Sequence, residues 1–441
     1  MQCFLLQYIA VSMGNEQYNL WESYGFRGNP FQTYPLSINE EIELSVKNAY
    51  ISRSYEVTIH LALFRNFFLN PGGGRIIVEG EPGVGKTTFV NFFRHKWYKE
   101  EEHFFTTGKE IQITEGASPE KFLTDTIYAL LASFRIRLGE EKFLKDDELV
   151  EMTKTVAVHD HNISSPMFGV QVFGSGVQFG KTVSSNYVQG SVNMGLLQSY
   201  LSLIVTKAKR MGFKGLILHY DNLDIVRNNY LVDLFEKIRD VIQMPDIYFV
   251  FVGGRGLFQE VIYPLERVRS IFQNTPITIE SMSLDTVKSI IDRRYEIFSF
   301  TNQEYIKPIE DQVVDLLFEV YTGKLRLIMN DMTNLINMQD NFSGTIPQKV
   351  AMERLREIKR NDVYGLKMQP SVTEIFLKSM DLVTFNATKL AKHCGVSRTY
   401  IQNECLPRYL DRKLIFEEKK VRNSMYYRVS DQFRILFAEP Q

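Results

Sequence analysis

The sequence predicts an α/β fold: a parallel sheet with flanking helices around a phosphate-binding loop, then a helical lid and a C-terminal winged helix-turn-helix. Three observations carry this prediction. From about residue 75 to 280, strand-like apolar runs alternate with helix-like periods, the pattern of a sheet covered by helices. Gly80–Thr87 reads GEPGVGKT, between RIIVE and KTTFVNFFRHKW, so a glycine-rich turn joins a strand to a helix. The pattern becomes almost wholly helical from Ser283 to Arg360 and changes again from Ser371.

With 441 residues, 44% of them hydrophobic and 13% aromatic, the chain can bury more than one core, and two or three domains are expected. Its 51 Lys and Arg nearly cancel its 52 Asp and Glu, so any affinity for nucleic acid must come from a local patch. Cys3, Cys394 and Cys405 have no CxxC spacing, which suits reduced thiols in a cytosol and argues against structural zinc. His159 and His161 form an HxH pair on an expected strand with no third ligand in view, a surface pair rather than a metal site. No apolar run approaches the about 20 residues that span a bilayer, so a soluble, cytoplasmic protein without membrane contact is expected, with nucleoid association open. The N-terminal MQCFLLQYIAVSM lacks a basic n-region and a cleavage site, and Met1 and Met13 are both candidate starts.

Strands are expected at Arg75 to Glu79, Glu110 to Thr114, Gly215 to Tyr220, Ile247 to Val252 and Pro276 to Glu280. Several are continuous apolar runs, as strands covered on both faces should be. Helices are expected at Lys86 to Trp97, Pro119 to Arg135 and Leu196 to Arg210. The resulting domains are an N-terminal segment (1–50), a nucleotide-binding core (51–282) with an insertion near 140–190, a helical lid (283–365) and the winged helix-turn-helix (366–441). Within the insertion, FGVQVFGSGVQFGK reads as a β-hairpin. It either touches DNA or a neighbouring subunit, or simply covers the sheet. In the last domain, Gly395 ends one helix and Ser397 is placed to cap the next, with the ribbon LIFEEKKVRNSMYYRVS as the wing.

Gly80, Glu81, Pro82, Gly83, Val84, Gly85, Lys86, Thr87 and the following Thr88 form the candidate ATP site. Gly83 and Gly85 let backbone N–H groups curl around phosphates, and the helix N-terminus adds a favourable dipole. Lys86 is expected on the β- and γ-phosphates, and Thr87 on Mg²⁺. Asp221 ends the strand GLILHY and is the natural second Mg²⁺ residue, acting through water. Asn222 follows where a glutamate is common. An amide cannot take a proton from attacking water, although it can orient that water. Asp224 serves as base only if the turn carries it to the γ-phosphate. Slow or partner-dependent hydrolysis is expected.

The chain resembles the AAA+ ATPases of the archaeal and eukaryotic origin-recognition initiator type and the related Tn7-type transposition ATPases. NPF (Asn29 to Phe31) and YPL resemble their N-terminal segment, and ISRSYE the box before the first helix, where Arg53 and Glu56 would sit near the adenine. LERVRSIF resembles the arginine-finger region, with Arg269 a better match than Arg267, and TGKLRLIMNDMTNLI the lid helix with the sensor-2 arginine, here Arg326. The resemblance implies a P-loop NTPase that binds ATP and Mg²⁺ and assembles as a homo-oligomer or with a related ATPase subunit. It departs from the family at Asn222, at IYFVFVGGRG, where no polar sensor-1 side chain stands, and in the long insertion.

Between Lys389 and Arg428, ten basic residues face four acidic ones. Arg398, Tyr400 and Gln402 are candidates for base edges, with Lys419, Lys420 and Arg422 along the wing. The leading reading is an ATP-binding AAA+ switch on DNA, controlling initiation, transposition, transcription or phage defence, with a downstream nuclease or transposase as possible effector. The alternative is a STAND-like signalling ATPase whose winged helix packs inward and which recruits a protein effector. The two differ in whether the wing's basic stripe is exposed.

Overall fold

The computed structural model describes residues 20–53, 55–160, 193–273, 275–301, 303–338, 344–379, 381–382, 384–422 and 424–436. The chain divides into two compact units. The nucleotide unit comprises residues 35–50 and 55–280; the other comprises the N-terminal residues up to Tyr34, residues 51–54 and residues 281–441.

The nucleotide unit is a P-loop NTPase fold. Its strands are β1 (Gly74–Gly80), β2 (Phe104–Thr106), β3 (Ile111–Gln112), β4 (Gly215–Asp221), β5 (Ile247–Gly253) and β6 (Ile277–Ile279). They form a parallel sheet in the order β2-β4-β5-β1-β6, with β3 pairing further along β4. β2 and β3 thus make one interrupted edge, where the sequence suggested a single strand over 110–114. Every residue of β4 and β5 is buried, and alternate side chains serve opposite layers. Leu216, Leu218, Tyr220, Phe249 and Phe251 pack with Phe122, Ile127, Leu201, Leu234 and Phe235 of helices Pro119–Leu138, Met194–Arg210 and Asn228–Lys237. Ile217, Tyr248, Val250 and Val252 face Phe64 and Phe67 of Tyr55–Phe67 and Phe89, Val90 and Phe93 of Lys86–His95. Gly80 is required by close approach: a Cβ there would stand 2.4 Å from the Ile279 carbonyl oxygen.

The start of the expected insertion is helical, at Glu140–Leu144 and Asp147–Asp160. This corrects the strand assumed for His159, because Leu149, Met152 and Val156 recur at helical spacing and are all buried. His161 and the expected hairpin FGVQVFGSGVQFGK lie outside the described residues.

In the second unit, helices Leu284–Phe298, Asp311–Tyr321, Leu325–Asn337 and Gln348–Gly365 form the helical region. The NPF segment docks on it: the Asn29 side chain accepts from the Phe31 N–H at 2.8 Å and donates to Thr333 at 3.3 Å. Phe26 stacks on Tyr295. Buried Asp331 accepts from the Tyr321 hydroxyl and from the Lys359 ammonium. Helices Pro370–Ser379 and Ala387–Cys394, a helical stretch from Arg398 to Asp411, and an antiparallel sheet follow. The sheet has strands β7 (Thr384–Phe385), β8 (Ile415–Val421) and β9 (Ser424–Val429) in the order β7-β9-β8. Gly395, at φ 68°, closes one helix, and Ser397 caps the next by accepting from the Tyr400 N–H at 3.1 Å.

Candidate nucleotide site

The phosphate loop hangs between β1 and helix Lys86–His95. Gly83 and Gly85 have φ of 82° and 88°, a left-handed conformation that side chains resist. Their backbone can therefore curl so that amides and the helix N-terminus share one concave surface. The Lys86 ammonium folds across this loop and donates to the Gly80 carbonyl at 2.9 Å and the Glu81 carbonyl at 3.1 Å. Thr87 turns toward β4, and its hydroxyl donates to an Asp221 carboxylate oxygen at 2.8 Å. Thr88 turns elsewhere: its hydroxyl accepts from the Leu36 N–H at 3.2 Å and ties residues 35–50 to the helix.

Asp221 is 6% exposed. Burial raises its pKa above the ordinary carboxylate value, opposed by the Thr87 hydroxyl, the Asn222 N–H and Lys86. A buried carboxylate beside a hydroxyl is a hard-oxygen donor pair, so Thr87 and Asp221 are the residues that could hold Mg²⁺. Among the described residues no group of three or more His, Cys, Asp or Glu could hold a metal ion.

Asn222 sits at φ 60°. Its side-chain amide donates to Gln112 at 3.1 Å, and Gln112 stands opposite Asp221 in the β3–β4 register. Asp224, on the turn after β4, is exposed and lies against Gly254 at the end of β5. Arg255 pairs with Glu280 at 2.9 Å. The Arg269 guanidinium lies 4.6 Å from the Tyr263 ring centroid, while Arg267 is exposed. The fold thus brings Lys86, Thr87 and Asp221 together and gives Asn222 a partner. Arg53 and Arg326 belong to the other unit, Arg326 exposed near the start of helix Leu325–Asn337.

Sequence reasoning missed Arg94. This residue of the phosphate-loop helix is 1% exposed. It donates to Thr106 at 3.0 Å, Asn91 at 2.8 Å, Thr107 at 3.2 Å and the Lys109 carbonyl at 3.3 Å, and lies 3.7 Å from Glu110. Its Nη1 stands 3.4 Å from Nδ1 of His219 on β4. Burial lowers the Arg94 pKa to about 10, so the guanidinium remains charged at neutral pH. Burial and that neighbouring charge hold the His219 pKa well below its usual value. The imidazole is therefore neutral. The cluster bolts the phosphate-loop helix to β2 and to the strand that ends in Asp221. The available signal was an arginine and a histidine inside otherwise apolar runs.

In the other unit, Arg398, Gln402, Lys419, Lys420 and Arg422 are exposed. Tyr400 is half-buried, its hydroxyl 2.9 Å from that of Ser371, so it is tied to helix Pro370–Ser379. Arg408, Arg412 and Arg428 have carboxylate partners in Glu404, Asp411 and Asp431, which narrows the effective basic patch.

Residues 71–253 match the KAP family P-loop domain, so the sheet and its loop are a P-loop NTPase domain. No curated protein matches the chain. Among solved structures, the chain is similar to Aeropyrum pernix ORC2 in its ADPNP-ADP complexes, at 12% identity and a TM-score of 0.45, covering 92% of this chain and 96% of that one. It is similar to Aeropyrum pernix ORC1 in complex with DNA, at 12% identity and a TM-score of 0.45, covering 89% and 93%. A variant of Thermotoga maritima RuvB gives 12% identity and a TM-score of 0.36 over 85% and 90%. Among the described residues no helix is long and apolar enough to cross a membrane.

Proposed function

We propose that this chain is an AAA+ switch of the initiator and Tn7-type kind, which holds ATP with Mg²⁺ at Gly80–Thr87 and acts on DNA through a winged helix within residues 366–441. The observation that carries the reading is the 2.8 Å contact between the Thr87 hydroxyl and buried Asp221 at the end of the glycine loop. The two residues would hold Mg²⁺, which when bound neutralises charge between the terminal phosphates. Lys86 would exchange its two carbonyl partners for phosphate oxygens, and the amides of residues 81–87 would cradle the anion. The Asn222 amide orients attacking water without accepting its proton, which makes hydrolysis slow or partner-dependent. Arg269 and Arg326 would supply charge to the transition state, Arg269 from a neighbouring copy and Arg326 from the lid, and Arg53 would border the adenine. Asp224 is a weaker candidate for base, since it packs against Gly254.

DNA is favoured over an effector-recruiting role by the exposure of Lys419, Lys420 and Arg422, none of which has a carboxylate partner among the described residues. Such cations suit phosphate contacts. The test is DNA binding with and without ATP and Mg²⁺ for the wild type and Lys86→Ala. ATP-dependent binding in the wild type, lost in Lys86→Ala, is expected. Absence of DNA binding under any nucleotide would shift the reading to the effector-recruiting ATPase.

A further inference from the structure

We propose that the solvent face of the C-terminal sheet is a platform for single-stranded DNA. The inference rests on the reading of this end as DNA-binding and narrows it to unpaired strand. Cross-strand partners in an antiparallel sheet share a face. One row aligns Thr384, Arg428 and Phe416, and the next aligns Phe385, Tyr427 and Glu417. Phe385 is fully buried, and Tyr427 packs against the same core, so the Phe416 row faces solvent. The Phe416 ring is 41% exposed, with the Arg428 guanidinium 5.8 Å from its centroid.

A bulge at Glu418 then changes the alternation of β8. Glu417 pairs with Tyr427, but Lys419 pairs with Tyr426 and Val421 with Ser424. Tyr426 and Ser424 alternate with inward Tyr427, so Lys419 and Val421 join Phe416, Tyr426 and Arg428 on the outer face. Val421 is 45% exposed. The bulge therefore gathers two aromatic rings, one aliphatic side chain and two cations on one side. Glu417 is exposed but lies on the opposite face, beside Tyr427, and Asp431 lies 3.2 Å from Arg428, neutralising part of its charge. Glu418 is the bulge residue itself.

Unpaired bases stack on exposed aromatic faces while their phosphates follow nearby cations. Duplex DNA offers this face only phosphates, since its bases are already stacked, and Phe416 and Val421 would gain nothing from it. A protein partner fits less well, because the centres of protein interfaces are depleted in lysine and Lys419 stands amid the apolar residues.

The test uses the full chain and fluorescence anisotropy with a labelled single-stranded oligonucleotide and its blunt duplex. Phe416→Ala should weaken single-strand binding by about 5- to 150-fold and leave duplex binding unchanged. Phe416→Trp should keep the affinity and show its emission quenched by stacked bases, with an unaltered unfolding midpoint in both variants. Equal loss on both DNAs, or no loss on single strand, would overturn the proposal. Wild type that binds duplex only would sink the platform and leave the DNA reading standing; wild type that binds neither DNA would sink both.

Discussion

Arg94 and Lys420 are both cations, and the chain uses them in opposite ways. Arg94 is enclosed by Thr106, Thr107, Asn91, Glu110 and His219 beneath the phosphate loop. Lys420 stands in water on an exposed ribbon. A buried charge is tolerable only when its donors are satisfied, and its loss leaves acceptors stranded in a dry interior. An exposed charge contributes little to stability and remains available for a ligand. The nucleotide unit therefore encloses its cation next to the strand that ends in Asp221, and the C-terminal ribbon leaves its own in water.

Four sets of substitutions probe this contrast. The largest effect is expected on chemistry: Asn222→Glu would add the missing base and raise ATP turnover by roughly 10²–10⁴-fold, followed by phosphate release. An unchanged rate would mean that the water is positioned elsewhere. Next, Arg94→Ala should lose about 3–5 kcal/mol of stability, as breaking a buried charge pair does, measured by denaturant unfolding. Loss below about 1 kcal/mol would mark the cluster as incidental.

The third is a pH effect. His219 has a folded pKa far below that of the unfolded chain, so it contributes stability that is present above about pH 6.5 and lost as pH falls, because the unfolded state takes up the proton. Asp221 has the opposite sign. Its raised folded pKa favours the fold while it is protonated, and that contribution is lost as pH rises through the folded pKa. Asp221→Asn should therefore stabilise the ligand-free protein at neutral pH while abolishing Mg²⁺-dependent nucleotide binding. Unfolding midpoints across pH for His219→Gln and Asp221→Asn check both signs. The smallest effect on stability belongs to the ribbon. Alanine at Lys419, Lys420 and Arg422 should each change stability by about 0.5 kcal/mol or less and lower the salt slope of DNA binding by roughly one for every phosphate left without its cation.

The phosphate loop was legible because its signal is local: glycines at fixed spacing, then Lys86 and Thr87, between a strand and a helix. The place of Asp221 at the end of a strand was legible because it closes an apolar run. Arg94 was not, since its partners come from residues 106–110 and from His219, brought together only by strand order. The Gln112 partner of Asn222 was missed for the same reason, as it depends on the β3–β4 register. On the C-terminal ribbon the basic composition was readable. Which side chains share a face was not, because the bulge at Glu418 overrides simple alternation.

A nucleotide switch with Asn222 in place of a base is tested at its root by ATP turnover of the isolated wild-type chain, measured beside ATP binding with Mg²⁺ in the same samples. Saturable binding is expected, weakened about tenfold or more in Lys86→Ala, with turnover below the roughly 1 s⁻¹ common to enzymes. Fast, DNA-independent turnover by the monomer would contradict the switch.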